Sequence, residues 1–179
     1  MSLTLATLLP GLLILALGAA LFSGSSAIVA FFRALPRSEL GSKVFFGAGA
    51  AWFLYNVLHL SEADFGQYRL LLFVFFGVIA IASFFYVPDF LAVRGLCILM
   101  LLGAMPVLDA AYMEYAHPQR LFMVSAVFAG IILALYLGAA PYRLRDFFEW
   151  LFRTPGRSRV LGGALAAYGL LLCAVAFTY

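Results

Sequence analysis

The sequence predicts an all-α, polytopic membrane protein: a bundle of six transmembrane helices with an amphipathic helix at the cytosolic surface between spans five and six. Three observations lead there. Of the 179 residues, 66% are apolar and 11% charged, less than half the charged share from which soluble domains build a water-facing surface. The apolar residues gather in six runs of about 17 to 25, the length that crosses a hydrocarbon core of about 30 Å. The basic residues stand at the ends of those runs rather than along a polar face, the pattern of positive-inside topology. Mean hydropathy is +1.08, and no period-two alternation of barrel strands is visible. One transmembrane domain, 1–179, is expected.

The first span is expected over 8–32. Its leading run lacks the positive start of a signal peptide and outlasts a signal's apolar core, so it reads as retained. Ala19, Ser23 and Ala27 form a row of small residues at which another helix backbone can approach closely. Arg33 and Arg37 stop the span, Pro36 closes it, and Ser42 is the expected cap of the next. Span two, 44–60, carries Gly47, Gly49 and Ala51 early and Trp52, Tyr55, Asn56 and His59 later. Span three, 70–87, is rich in phenylalanine and ends at Pro88 and Asp89. Span four, 90–108, has Arg94 one turn in, close enough to snorkel to its surface. Pro106 deprives the Leu102 carbonyl of its helical donor, which predicts a kink near Gly103. Span five covers 121–140. Span six, 160–177, offers a second small-residue surface in Gly162, Gly163, Ala166, Ala167 and Gly169.

Between spans five and six lies the elbow helix, 142–153. Leu144, Phe147, Phe148 and Leu151 fall at i, i+3, i+4 and i+7 and make one apolar face, with Arg145, Asp146, Glu149 and Arg153 opposite. Such a helix belongs at a membrane surface, with Trp150 as its interfacial anchor and Arg143, Arg145, Arg153, Arg157 and Arg159 among lipid phosphates. Arg145–Glu149 and Glu149–Arg153 are expected as i, i+4 ion pairs.

Orientation follows from the cations. Arg33, Arg37, Lys43, Arg94, Arg143, Arg145, Arg153, Arg157 and Arg159 follow spans one, three and five, and only Arg69 and Arg120 follow spans two and four. That split puts both termini outside and the elbow inside, in a cytoplasmic (inner) membrane. The expected partners are lipid, including anionic headgroups at the cytosolic face, and other membrane protein chains. Nucleic acid is not expected, because no basic polar face exists to bind it. Cys97 and Cys173 fall near opposite surfaces, so no disulfide is expected.

The span centres hold no Asp, Glu, Lys, Arg or His, which argues against ion-coupled transport, since ionisable groups at mid-membrane do that work. On the outer face, His59 and Glu62, and Glu114 and His117, are each spaced i, i+3. Two imidazoles and two carboxylates suit zinc, iron or manganese, with Asp64 and Asp109 nearby. The same histidines are a weaker case for haem or pigment ligation, with no CxxCH to attach a haem. No nucleophile elbow, phosphate loop or CxxC is present, so catalysis is not expected. The leading expectation is a non-catalytic subunit or scaffold of a membrane complex. The alternatives are a small transporter or binding protein for a neutral or apolar solute, with a pocket at Trp52, Tyr55, Asn56 and Pro106, and an outer-face metal-binding protein or enzyme.

Overall fold

The computed structural model describes residues 1–179 and is helical throughout, without a strand. Five helices are long and apolar enough to cross a membrane: Leu3–Ser23, Gly66–Tyr86, Leu91–Ala111, Arg120–Ala139 and Pro155–Ala176. Six were expected, and the difference lies in the first two segments.

The expected span 8–32 is two helices. Helix α1 (Leu3–Ser23) begins at Leu3 because the Ser2 hydroxyl accepts the Leu5 amide at 3.4 Å and caps it. It ends at Gly24, whose φ of 59° lies in the left-handed region that glycine adopts without penalty. The Ser25 hydroxyl then accepts the Ile28 amide at 3.4 Å and opens α2 (Ser26–Ala34). Serines expected in a helix seam therefore serve a helix break, and the Ser23 hydroxyl donates to the Ala20 carbonyl at 2.8 Å.

The expected span 44–60 is helical from Glu39 to Leu58, though not as one α-helix. It comprises α3 (Glu39–Gly41), a π turn (Ser42–Phe46) and α4 (Gly47–Leu58). Ser38, not Ser42, caps it by accepting the Gly41 amide at 3.0 Å, and the Ser42 hydroxyl donates back to the Ser38 carbonyl.

Two 3-10 turns, Glu62–Asp64 and Gly66–Tyr68, lead into α5 (Arg69–Tyr86). Helix α6 (Leu91–Ala111) continues unbroken through Pro106 and takes in Asp109, past the expected end at 108. Then come α7 (Arg120–Ala139), α8 (Tyr142–Leu151) and α9 (Pro155–Ala176). Helix α9 starts at Pro155 rather than 160 because proline at its first position presets the helical φ after extended Thr154. Arg157 and Arg159 are thereby helical residues.

The chain forms two compact units. The first comprises Met1–Arg33, Gly103–Leu133 and Arg145–Tyr179. In it α1 and α9 run antiparallel with their backbones in contact. A Cβ on Gly18 would stand 2.8 Å from the Gly162 carbonyl oxygen, and one on Gly169 would stand 2.5 Å from the Leu15 amide. Gly11 meets Leu172 and Cys173 further along. Ala6, Ala111, Met123 and Leu172 make a buried cluster beside the seam. The Tyr168 hydroxyl donates to the Phe122 carbonyl at 2.8 Å, and the Thr7 hydroxyl donates to that of Tyr179 at 3.2 Å.

The second unit comprises Ala34–Leu102 and Ala134–Leu144. Gly95 of α6 lies against the backbone of Phe45 and Phe46 in the π turn, Gly41 faces Ala92, and Gly49 faces Ile98. That order makes this stretch of α6 run parallel to the 39–58 segment. The π turn and α4 together meet α5 antiparallel through edge-on ring pairs, Phe46–Phe84 and Phe53–Phe76, each with centroids 5.2 Å apart. Val93, Cys97, Ala134 and Leu137 form the buried cluster of this unit.

Candidate functional site

The residues expected to form an outer-face metal set lie at helix ends. Helix α4 stops at Leu58, so His59 is its C-cap and Glu62 begins a separate 3-10 turn, rather than both lying on one helical turn. The His59 Nδ1 is 2.8 Å from the Tyr55 carbonyl, and its ring lies against the Tyr55 ring with centroids 4.2 Å apart. Glu62 lines an open cleft of about 700 Å³ with Leu60, Gly66, Gln67, Arg69 and Leu70. In the first unit, Glu114 and His117 share a turn in which the His117 amide donates to the Glu114 carbonyl, and the His117 ring meets Tyr179 edge-on. No three His, Cys, Asp or Glu side chains gather as a metal site, and the metal reading draws no support from the geometry.

The expected solute pocket fares similarly. Trp52, Tyr55 and Asn56 are all exposed on α4 in the second unit, and Pro106 is exposed on α6 in the first. None of the four lines the cleft at Glu62 or the one described next.

The elbow is where the structure concentrates chemistry. Helix α8 buries Phe148 and Leu151 and leaves Phe147 and Trp150 exposed. Phe32 of α2 seals the buried side, its ring centroid 5.3 Å from that of Phe148 and 6.2 Å from that of Phe152. The last carbonyls of a helix have no partner within it. Here two arginines supply the donors. Arg157 Nη1 donates to the Trp150 carbonyl at 3.1 Å, with its guanidinium 4.6 Å above the Trp150 ring, and Arg33 Nη2 donates to the Phe152 carbonyl at 3.3 Å. Cations at a helix C-terminus also oppose its negative dipole end.

Of the two expected i, i+4 ion pairs, Arg145–Glu149 is present and Glu149–Arg153 is not. Arg145 binds Asp146 at 2.7 Å and stands 3.9 Å from Glu149. The Asp146 carboxylate, as hydrogen-bond acceptor and neighbouring charge, pushes the Arg145 guanidinium further above its ordinary range. Glu149–Arg153 does not form, because α8 ends at Leu151 and leaves Arg153 off its face. Arg143 lies over the Tyr142 ring, 5.5 Å from its centroid. Arg153 and Arg159 are exposed.

Between α8 and α9 lies an open cleft of about 640 Å³, lined by Phe147, Trp150, Leu151, Thr154, Gly156, Arg157, Val160, Leu161 and Ala164. Trp150 and the arginines are legible in the sequence but the cleft is not, because the expected bounds, 142–153 for the elbow and 160–177 for span six, leave Gly156 and Arg157 outside both helices. The Thr154-Pro155 pair was the available signal for a helix start. The Phe32 and Arg33 contacts had no comparable signal, being 119 residues from Phe152 in sequence. Comparison with protein families, curated proteins and solved structures finds no match for this chain.

Proposed function

We propose that this chain is a six-crossing protein of the cytoplasmic membrane that acts by binding, as a non-catalytic subunit or scaffold, through helix packing and a basic elbow at the cytosolic face. The elbow carries the reading: α8 presents Phe147 and Trp150 outward, buries Phe148 and Leu151, and is ringed by arginines. This is the composition of an interfacial amphipathic helix that meets lipid headgroups or a partner at the membrane surface.

Chain direction supports the sixth crossing. Successive crossings alternate in direction, so with five the first and last would run the same way. Helices α1 and α9 run antiparallel, which calls for an even number. The segment Glu39–Leu58 is the one remaining that is long enough, its 20 residues reaching about 30 Å. As second and fourth crossings, it and α6 would run parallel, in accord with the Gly41–Ala92, Phe46–Gly95 and Gly49–Ile98 order. The basic residues then put both termini outside.

Two measurements test this. With Cys97 and Cys173 replaced by alanine, Arg37→Cys and Gln67→Cys are expected to react with an impermeant maleimide from opposite sides of sealed vesicles, Arg37→Cys from the cytosolic side. Labelling of both from one side rejects the sixth crossing. Native mass spectrometry after gentle extraction is expected to show partner chains or retained anionic lipid; a bare stoichiometric monomer rejects the binding role.

A further inference from the structure

We infer that the cleft between α8 and α9 binds one anionic phospholipid, its acyl chain along Phe147, Trp150, Val160 and Ala164 and its phosphodiester at Thr154 and Arg157. This rests on the elbow reading above and gives it a ligand class and a place. The cleft of about 640 Å³ falls within the roughly 300–1,000 Å³ of ligand sites. Its exposed lining is almost wholly apolar, and its position along α9 orders the residues that border it. Thr154, Gly156 and Arg157 are consecutive with the start of α9, whereas Val160, Leu161 and Ala164 lie up to two turns further along, about 10 Å from Arg157. An apolar cleft beside the exposed Arg153, Thr154 and Arg157 matches an amphiphile whose chain lies in the cleft and whose headgroup stays outside it at the interface.

Charge selects the headgroup. The elbow carries Arg143, Arg145, Arg153, Arg157 and Arg159 against Asp146 and Glu149, and Asp146 is already bound to Arg145. Arg157 is held by the Trp150 carbonyl and ring through one nitrogen, which leaves further guanidinium donors in a fixed place for phosphate. The Thr154 hydroxyl makes no helix-capping bond and can donate to the same oxygen. Arg153, adjacent to Thr154 in sequence, is exposed and adds charge there. A free phosphate would use Thr154 and Arg157 and leave Phe147, Val160 and Ala164 without a role. An apolar peptide would leave the arginines without one.

Gly156 provides the decisive variant. A Cβ there would meet nothing within 4 Å, so Gly156→Leu adds a side chain to the cleft without disturbing its walls. The test uses the full chain in mild detergent, with phosphatidylglycerol and phosphatidylcholine of identical acyl chains as probes, read by native mass spectrometry. The expected result is about tenfold preference for phosphatidylglycerol, a preference of about 1.4 kcal/mol. Gly156→Leu is expected to lower phosphatidylglycerol retention about tenfold with an unchanged lipid-free melting temperature. The Arg153→Gln/Arg157→Gln pair is expected to equalise the two lipids. Glycerophosphoglycerol, the headgroup without chains, is expected not to compete.

Full competition by that headgroup overturns the acyl-chain assignment. Undiminished binding by Gly156→Leu, with preference lost in the arginine pair, puts the lipid on the elbow surface; that overturns the cleft and keeps the elbow reading. Equal retention of both lipids by the wild type overturns the headgroup assignment, and absence of both lipids rejects the elbow's lipid role as well.

Discussion

Helices α1 and α9 meet backbone to backbone, whereas the π turn and α4 meet α5 ring to ring, and the contrast shows two ways of joining helices in this chain. Along the first seam Gly11 and Gly18 of α1 face Gly169 and Gly162 of α9, with both pairs spaced seven apart. Two turns of helix take about seven residues, so each pair stays on one face of its helix. The second contact uses Phe46–Phe84 and Phe53–Phe76 as spacers, and α5 itself has no buried residue. Lipid tails are as apolar as side chains, so burial alone drives little association between spans. Close packing and backbone approach must supply it. The glycine seam depends on absent volume, and the ring contact on volume that is present.

The same substitution, glycine to alanine, separates the two kinds of contact. Gly18→Ala should break the seam, because the new Cβ would fall 2.8 Å from both the Ala166 Cα and the Gly162 carbonyl oxygen. Backbone atoms cannot rotate aside, so the helices must part, at a cost of about 3 kcal/mol in reversible unfolding in mixed micelles. Gly162→Ala meets the same overlap from the other side, so the double variant should lose less than the sum. Gly95→Ala should cost less, about 1–2 kcal/mol. Its Cβ would press within 2.5 Å of the Phe45 carbonyl carbon and the Phe46 Cα, but those atoms belong to a π turn, which can shift toward ordinary α geometry and yield space.

These positions also mark how far the sequence could be read. The helical membrane class was legible because composition and run length act over the whole chain, and α5, α7 and α8 fall within two residues of expectation at each end. The break at Gly24 had a signal in Ser23-Gly24-Ser25-Ser26, but small residues of this kind also line helix seams in membranes, and here the backbone turns on one φ angle and serine hydroxyl bonds on either side. The small-residue row expected at Ala19, Ser23 and Ala27 is not the seam: Ala19 and Ser23 are exposed on α1, and Ala27 belongs to α2. The seven-residue spacing of Gly11 and Gly18, repeated in Gly162 and Gly169, was visible and was the better guide. At the candidate site, Trp150 and the arginines could be found from helical periodicity. The cleft depended on α9 starting at Pro155, and the closure by Phe32 on a tertiary contact that no local pattern encodes.

Gly77→Ala should have the smallest effect and the opposite sign. Gly77 lies in α5 with nothing within 4 Å of a Cβ, so alanine adds helix preference without overlap, and the isolated chain should change by no more than about 0.5 kcal/mol, in the stabilising direction. Gly77→Leu should be equally tolerated, because α5 already exposes Phe75, Val78 and Ile81 around it. The pair is best measured twice, on the purified chain and on the chain in its own membrane. Tolerance in both settings makes α5 a lipid-facing helix. Tolerance in isolation, with lost partner retention in the native membrane, would show that Gly77 admits another chain as Gly18 admits α9, and would extend the glycine rule from the inside of this protein to its assembly.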